Sequence, residues 1–443
     1  MTQPRLSAKT RRSHYAWVVL ISAMAMSALS AEVRQSFGVF IDPLVETYGW
    51  SRGAISLAYS AAFVGSVVVS LAFGSSIDRI GTRRVLLLGV TGIISGLVLT
   101  GTATTLWQLY LYYGLLFGGL GFLLNVVIPV AITRWFAKGV GIALGLMWAS
   151  IGIGGILGPV AFRWLITTVG WRHTFFLAGA VIGVPMLAAL YFFHGRPQDK
   201  GMTAYGEEPA PSPARAVETT AAISLAHLAD FGRIRRSLPF WHLINIHFLG
   251  CVGHSILLAH VVSIAIFRGV PGLAAAGVLS VMAATSAFSR FGISIMADRF
   301  GGRKTLGLAF LMQATPIPFL FWATETWQFY LIAIFFGLGY GAEMPSFPIV
   351  NRQYWGALSP LNAIYSWQMA GAMTGMALGG WVGGVLFDIT GGYTWSIGVA
   401  FVFTATGLVP ILALPRHRPG VILVPTPAPA QGGVAASPVQ DPD

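Results

Sequence analysis

Five of the ionisable side chains inside the long apolar stretches of this chain are candidates for chemistry in the membrane. They are Glu32, Arg34, His254, Arg290 and Glu343. An ionisable group in hydrocarbon is costly, so each of these residues is a functional candidate by default. An arginine in such surroundings can bind a carboxylate through two parallel hydrogen bonds, whereas a carboxyl or imidazole group can exchange a proton. The set therefore predicts a site that can bind a carboxylate, beside groups that can exchange a proton.

Arg290 is the main candidate for binding the anion. It lies eight residues before Asp298, which corresponds to about 12 Å of helix between Arg290 and the loop that follows. The alternative is a structural ion pair between Arg290 and Glu343. Arg34 is the second candidate cation, and we expect it to face the pathway together with its neighbour Gln35.

Glu343 is the first candidate for carrying the proton. It lies in a glycine-rich segment, residues 337–345, where a helix can open and where burial favours the neutral form of a carboxyl group. A fixed ion pair with an arginine is the alternative. Glu32 and His254 are further proton candidates. Because Glu32 and Arg34 are roughly 200° apart around a helix, they cannot both face one cavity unless the helix is broken, and Glu32 is then a packing or gating charge.

Weaker polar candidates complete the set. His247, Cys251 and His254 share one helix face, but the two histidines are about 10 Å apart on a straight helix and the chain has a single cysteine. We therefore expect no metal site, and no cofactor, because a phosphate-binding glycine loop is absent from the sequence. Three further polar residues either contact the substrate or link helices by hydrogen bonds: Asn125, Tyr340 and Gln368.

The elements that position these residues follow from composition. The chain of 443 residues is 55% hydrophobic and 9% charged, with a mean hydropathy of +0.71, so it cannot bury its apolar side chains inside a water-soluble globule. Windows of about 20 apolar residues predict an all-α membrane protein with twelve transmembrane helices. Their predicted starts are Tyr15, Gly53, Val85, Trp107, Val140, Trp171, Phe240, Leu273, Thr305, Trp327, Ala363 and Thr394.

The twelve predicted helices form two pseudo-symmetric halves of six. Residues 1–194 and 239–415 are the halves, residues 195–238 a cytoplasmic linker, and residues 416–443 a disordered cytoplasmic tail rich in Pro and Ala. An aspartate, an arginine, a turn glycine and a basic cluster recur 220 positions apart, which indicates a duplication. We expect this repeated loop to act as a gate between helix ends. Its residues are Gly74, Asp78, Arg79, Gly81 and Arg83 in the first half, and Asp298, Arg299 and Arg303 in the second.

Lysine and arginine lie almost entirely in one set of predicted loops, since the opposite set holds only Arg52, Arg172 and Arg268. Both termini are therefore expected on the cytoplasmic side. The same rule accounts for the net charge of +12, so we do not interpret that charge as affinity for nucleic acid. Membrane lipid remains a partner of the basic loops.

The two-half layout, with Gly-x-x-x-Asp-Arg-x-Gly-x-Arg-Arg after the second span, resembles the major facilitator superfamily. Shorter motifs in the same order resemble the bacterial members of the monocarboxylate transporter group, which are similar to the oxalate/formate exchangers. These motifs are Arg34 to Phe40, Gly49-Trp50-Ser51-Arg52, Arg134-Trp135-Phe136, Gly170-Trp171-Arg172 and Gly339-Tyr340-Gly341-Ala342-Glu343.

The resemblance implies a monomeric secondary transporter of a small organic anion in the bacterial cytoplasmic (inner) membrane, commonly working with a proton. It also implies that Arg290 contacts the substrate carboxylate. The chain departs from the group where an aspartate is replaced by Ser286, and it lacks a lysine in the eleventh span, which favours a monoanion unless Arg34 supplies a second cation. A carboxylate exchanger and an exporter of hydrophobic compounds remain alternatives. An enzyme is not expected, because the sequence holds no recognisable catalytic set.

Overall fold

The computed structural model describes residues 15–74, 80–206, 231–355 and 361–415. These residues form helices and the turns between them, with one isolated bridge between Phe136 and Tyr205. The first half contains α1 Tyr15–Gln35, α2 Arg52–Gly74, α3 Thr82–Thr102, α4 Leu106–Trp135, and a long helix Val140–Phe192 that Gly170 divides into α5 and α6. The second contains α7 Leu238–Phe267, α8 Gly272–Phe300, α9 Gly302–Ala314, α10 Thr326–Trp355, α11 Leu361–Thr390 and α12 Thr394–Ala413.

The twelve-helix prediction is confirmed, and each helix begins within three residues of its predicted start. Within the described residues, nine helices are long and apolar enough to cross a membrane. One of the nine is Val140–Phe192, whose 53 residues make two spans because Gly170 has non-helical angles of φ 80° and ψ 160°. The other two spans are α9, which continues into the 3-10 turn Ile317–Phe321, and the more polar α10.

The helical bundle has two ends. The terminal end is where α1 and α7 begin, and the far end is where α2 and α8 begin. Between α1 and α2 the chain turns at the far end through a 3-10 turn, Phe37–Phe40, and a short helix, Ile41–Tyr48. Helix α4 contains a π-helical segment, Tyr110–Leu120, which changes the direction of its side chains relative to a regular helix.

The duplication is visible in the backbone of the repeated loop. Gly81 (φ 92°) precedes α3 and Gly301 (φ 86°) precedes α9, and only glycine adopts such angles without strain. Arg303 donates to the carbonyls of Ile411 (3.0 Å) and Leu412 (2.6 Å) at the end of α12, where a cation complements the helix dipole.

The structure describes only some of the other residues of the predicted gate. Gly74 ends α2, and Arg83 lies exposed in the first turn of α3. Asp78 and Arg79 lie outside the described residues. Asp298 and Arg299 belong to the last turns of α8, and their side chains are not described. The gating role of the repeated loop therefore stays a prediction.

Small residues allow the helices to approach closely. A Cβ added at Gly152 of α5 would come within 2.9 Å of the Ala287 side chain on α8, and one at Gly154 would meet the backbone of Ala28 on α1. The α11 glycines pack on α7 in the same way, since a Cβ at Gly383 would come within 2.6 Å of the His260 ring. Helix α5 thus joins α1 to the second half, and α2 packs on α11.

Candidate functional site

Arg34 projects from the last turn of α1 into an aromatic corner of the first half. The buried ring of Phe37 packs between Tyr59 of α2 (5.3 Å between ring centroids) and Tyr113 of α4 (4.8 Å). The guanidinium group of Arg34 lies within electrostatic reach of the Tyr59 and Tyr113 hydroxyls. Among the described residues, neither Nη2 of Arg34 nor the hydroxyl of Tyr113 has a hydrogen-bond partner. This corner therefore offers two unused polar groups, one of them cationic.

Arg290 lies on α8 in the second half. Its Nη1 donates to the carbonyl of Trp148 on α5 at 3.3 Å, while its Nε has no partner among the described residues. The hydroxyls of Tyr340 and Tyr365 lie within electrostatic reach of the guanidinium. Arg290 lies deep in the bundle and is still partly accessible. The guanidinium therefore keeps an unused donor where two tyrosine hydroxyls surround it.

Tyr340 of α10 connects the two arginines. Its hydroxyl interacts electrostatically with both Arg290 and Arg34, so the two cations come from opposite halves and approach one tyrosine. In the described part of the chain, neither arginine forms an ion pair with a carboxylate. A buried charge without a partner is destabilising, and an anion with one or more carboxylate groups would compensate it.

Glu343, one turn along α10 from Tyr340, is 1% exposed and belongs to a different set of contacts. Its Oε2 accepts a hydrogen bond from the Gln313 amide of α9 at 2.8 Å and lies 3.4 Å from Nδ1 of His254 on α7. A Cβ at Gly250 would come within 2.7 Å of Oε1, so this glycine makes room for the carboxyl group. Neither contact involves an arginine. The alternative in which Glu343 forms an ion pair with an arginine therefore does not match the structure.

His254 and His247 lie on either side of Glu343. The ring of His254 is edge-on to Tyr340 at 5.0 Å, and its Nε2 lies 3.1 Å from the Met376 sulfur. His247 stacks on the Phe347 ring at 4.0 Å. One donor atom each of His247, Cys251 and Glu343 lie within 4.8 Å of one another. Spacing along α7 alone could not reveal this cluster, because Glu343 enters it from α10.

Two of the predicted substrate contacts form hydrogen bonds between helices. The Gln35 amide donates to the carbonyl of Ile151 on α5 at 3.0 Å, so Gln35 links α1 to α5, and its contact with the substrate stays a prediction. Gln368 of α11 forms a reciprocal pair of hydrogen bonds with Asn351 of α10, at 3.0 and 2.9 Å, and both residues are buried. The sequence could not distinguish these cases, because an amide in a helix satisfies a neighbouring helix as readily as a ligand.

Glu32 and Asn125 are the remaining predicted site residues. Glu32 faces α5, where a Cβ at Gly158 would come within 2.6 Å of its Cγ, so it lies away from the tyrosines that surround Arg34. The predicted separation of Glu32 from Arg34 around α1 therefore agrees with the structure. Asn125 is partly buried on α4, beyond the π-helical segment.

A polar network that the sequence did not predict joins the two halves at the far end. The Asp388 carboxylate at the end of α11 accepts hydrogen bonds from the backbone N–H groups of Arg52 (2.9 Å) and Gly53 (2.7 Å), at the start of α2. A carboxylate at a helix N-terminus is favourable because it meets unpaired N–H groups and the positive end of the dipole. Here that cap comes from the opposite half of the protein.

The Arg52 side chain extends the network. It donates to Asp42 at 2.5 Å and lies over the ring of Phe387, 4.7 Å from its centroid. The other oxygen of Asp42 accepts from the Ser263 hydroxyl of α7 at 2.8 Å. Nearby, Ser60 of α2 donates to a carbonyl of α11 at 2.5 Å. Arg52, Asp42, Ser263 and Asp388 are called the far-end lock below, because they hold the halves together at this end.

The long apolar helices define a multi-pass membrane protein, and comparison with known proteins identifies its family. The model of the Major Facilitator Superfamily matches residues 16–297 and 269–430. The chain therefore belongs to the Major Facilitator Superfamily, and it is a transporter rather than an enzyme.

Similar proteins include monocarboxylate transporter 13 of Rattus norvegicus, which is 26% identical over 91% of this chain and 89% of that protein. The oxalate:formate antiporter of Oxalobacter formigenes is 24% identical over 91% and 92% of the two chains. Among solved structures, a bacterial homologue of the lysosomal transporter Spinster has a TM-score of 0.67 at 15% identity, over 91% of this chain and 95% of that one. The nucleoside transporter NupG has a TM-score of 0.66 at 15% identity, over 90% and 98%.

The far-end lock predicts that Asp388 holds the far end closed. Replacing Asp388 with Asn removes the charge from two hydrogen bonds at the start of α2, and hydrogen bonds to charged groups contribute roughly 1.5–3 kcal/mol. We expect the far end to open more often, so a cysteine introduced at buried Ser60 should react with a membrane-impermeant maleimide at least about tenfold faster. Labelling is compared with the same protein lacking the Ser60→Cys change, to account for Cys251.

The matched control is Glu46→Gln, which removes an acidic group that is exposed at the same end. Added to the Ser60→Cys protein, this control should not change the labelling rate. Unchanged labelling in the Asp388→Asn variant would show that the cap does not hold the halves together.

Proposed function

We propose that this chain is a secondary active transporter of a small organic anion, a monocarboxylate, which it carries by alternating access in symport with a proton. The observation that carries the proposal is the pair of arginines, Arg34 and Arg290, which approach Tyr340 from opposite halves with unused guanidinium donors. A carboxylate between them would be held by both halves at once. Its arrival and departure can then bias the relative position of the halves.

The anion site comprises Arg290 as the principal cation, Arg34 as the second, and the Tyr340 hydroxyl as a hydrogen-bond donor. Asn125 is a further contact on the side of α4. Guanidinium groups suit this task because their planar donors match both oxygens of a carboxylate. The tyrosines around each arginine supply neutral hydroxyls, which orient the anion without cancelling the positive charge that attracts it.

Proton coupling follows from the second set of contacts. A monocarboxylate that moves with one proton carries no net charge through the apolar interior, which avoids the cost of moving an isolated ion. Glu343 is the proton carrier in this proposal, and His254, whose Nδ1 lies 3.4 Å from its Oε2, is its nearest imidazole neighbour. Because Tyr340 lies against the His254 ring, the anion site and the proton site are adjacent and can influence one another.

The transport cycle alternates between closure at the far end and closure at the terminal end. The far-end lock holds one closed state, and the repeated loops at the terminal end, including Asp78 and Asp298, hold the other. We place the protein in a bacterial inner membrane as a monomer, with both termini, the linker 195–238 and the tail 416–443 on the cytoplasmic side. The orientation is supported by the distribution of Lys and Arg.

Two other functions have specific support. An exchanger of carboxylates is favoured by the second arginine and by the similarity to a protein named as an oxalate:formate antiporter. An exporter, in the alternative considered one of hydrophobic compounds, has the support of 23% identity, over 73% of this chain, to a protein of Paecilomyces divaricatus named as an agnestins efflux protein. Neutralising Arg290 separates the classes, because an exporter of hydrophobic compounds has no need of an anion-binding cation.

The anion site predicts a graded response at Arg290. Lysine keeps the charge and loses the planar two-pronged geometry, so carboxylate affinity should fall by roughly 1–3 kcal/mol, the scale of a charged hydrogen bond. Alanine should reduce affinity further, while the protein still folds, because a lone buried charge is removed. Binding of labelled monocarboxylates to the purified protein measures both effects.

The matched control is Arg268→Lys, which changes an arginine at the far end that donates to the carbonyl of Phe321 at 3.0 Å. Affinity should be unaffected by this change. Carboxylate binding to Arg290→Ala with wild-type affinity would exclude the proposed site.

The coupling proposal predicts a split between two activities in Glu343→Gln. Glutamine preserves the shape and the hydrogen bond with Gln313 but cannot carry a proton. Accumulation driven by a proton gradient should be abolished, whereas exchange of internal for external substrate should continue, because exchange moves no net proton. Glu325→Gln, an exposed acidic residue at the far end, is the control and should accumulate substrate normally.

If Glu343→Gln accumulated substrate at the wild-type rate with unchanged pH dependence, another group would carry the proton. The proton carrier would then be His254 or the acid form of the substrate.

A further inference from the structure

His247 is a buried side chain whose polar groups serve no purpose in the static structure. It is 0% exposed, and neither ring nitrogen has a hydrogen-bond partner among the described residues. A buried donor or acceptor without a partner is destabilising, because it has lost its hydrogen bonds to water. The stacking contact with Phe347 at 4.0 Å does not need nitrogen atoms, since a phenyl ring would provide it. The imidazole is therefore expected to have a partner during part of the transport cycle.

Glu343 is the group that can provide this partner. A ring nitrogen of His247 and a carboxyl oxygen of Glu343 lie within 4.8 Å of each other, which is at most roughly 2 Å more than a hydrogen bond. One carboxyl oxygen, Oε2, accepts a hydrogen bond from Gln313 and lies 3.4 Å from Nδ1 of His254, whereas Oε1 has no hydrogen-bond partner among the described residues. Rotation of the Glu343 side chain can therefore bring an oxygen into contact with His247 without moving a helix.

His254, Glu343 and His247 lie one after another in a row that runs along α7. His254 and His247 are seven residues apart on this helix, about 10 Å, and Glu343 enters between them from α10. His254 is next to Tyr340, which interacts with both arginines of the anion site. His247 lies nearer to Leu238, where α7 begins at the terminal end. The row therefore runs from the anion site toward the terminal end.

Other titratable groups lie around the Glu343 carboxyl group, but they are not suited to exchange a proton with it. From α7 it is faced by Cys251 in addition to the two histidines, from its own helix by Tyr340, and from α11 by Tyr365. Thiols and phenols ordinarily release protons only in the alkaline range, whereas carboxyl and imidazole groups can exchange protons near neutrality. Helix α9 contributes Gln313, which cannot titrate.

We propose that His247 is a second proton acceptor and that Glu343 passes its proton to His247 on the way to the terminal end. In this step the O–H bond of the Glu343 carboxyl group breaks and an N–H bond forms on His247, leaving a carboxylate beside an imidazolium. The imidazolium then releases a proton from its other ring nitrogen to water at the terminal end. His254 positions the carboxyl group at the other limit of its movement. This inference rests on the proposed proton-coupled transport of a carboxylate.

The test uses the full-length protein in proteoliposomes, with labelled acetate, lactate and pyruvate as separate probes. Two rates are measured for each probe: uptake driven by an imposed proton gradient, and exchange with unlabelled probe inside the vesicles. The central variant is His247→Phe, which keeps the ring and its stacking on Phe347 but cannot accept a proton. We expect its gradient-driven uptake to fall at least about tenfold, while exchange stays within about twofold of the wild type; a tenfold change corresponds to about 1.4 kcal/mol.

His247→Gln is the second variant, because it retains polar atoms without the ring and should show the same split. The matched control is His242→Gln, which removes a partly exposed imidazole from the same helix and should change neither rate. Thermal unfolding of each purified variant shows whether a change in rate reflects loss of the folded protein.

The outcomes distinguish the relay from the function on which it rests. Gradient-driven uptake by His247→Phe at the wild-type rate and pH dependence would overturn the relay while leaving carboxylate transport intact. Loss of both gradient-driven uptake and exchange in a folded His247→Phe protein would also overturn it, because His247 would then serve the anion site. Absence of either activity for all three probes in the wild type would instead contradict the proposed transport of small monocarboxylates, and the relay with it.

Discussion

A positive charge inside a membrane must be neutralised by a partner, and most features of this site depend on that constraint. Arg34 and Arg290 stand in an apolar bundle with neutral tyrosine hydroxyls around them and no carboxylate paired with either in the described residues. Arg290 also donates to a carbonyl on α5, but a carbonyl does not neutralise the charge of a guanidinium. In the proposed function the compensating charge of both arginines is supplied by the transported anion.

The acidic groups of the bundle are kept apart from those arginines by their own contacts. Glu343 is occupied by Gln313 and His254 in the second half, and Asp388 caps α2 at the far end. If either carboxylate could reach an arginine of the anion site, it would compete with the substrate. Separate partners therefore allow one small bundle to hold an anion site, a proton site and a lock between the halves.

The sequence predicted the twelve helices well because apolar length and glycine turns are local properties. It also found Arg290 and Glu343, because a charged residue in an apolar stretch is rare enough to notice. It left the role of Gln368 open, since spacing along one helix does not tell whether an amide points to a ligand or to Asn351 on a neighbouring helix. The tyrosines such as Tyr113 were missed for a related reason: a tyrosine is common in membrane helices, and only the fold shows that its hydroxyl lies beside a cation.

Uptake of labelled organic anions by proteoliposomes that contain the wild-type protein tests the central claim most directly. A panel of monocarboxylates and dicarboxylates is offered with and without an imposed proton gradient. The account predicts that at least one monocarboxylate accumulates against its own gradient, in proportion to the proton gradient, and that a protonophore abolishes the accumulation. Transport of hydrophobic neutral compounds, with no uptake of any carboxylate under either condition, would contradict it.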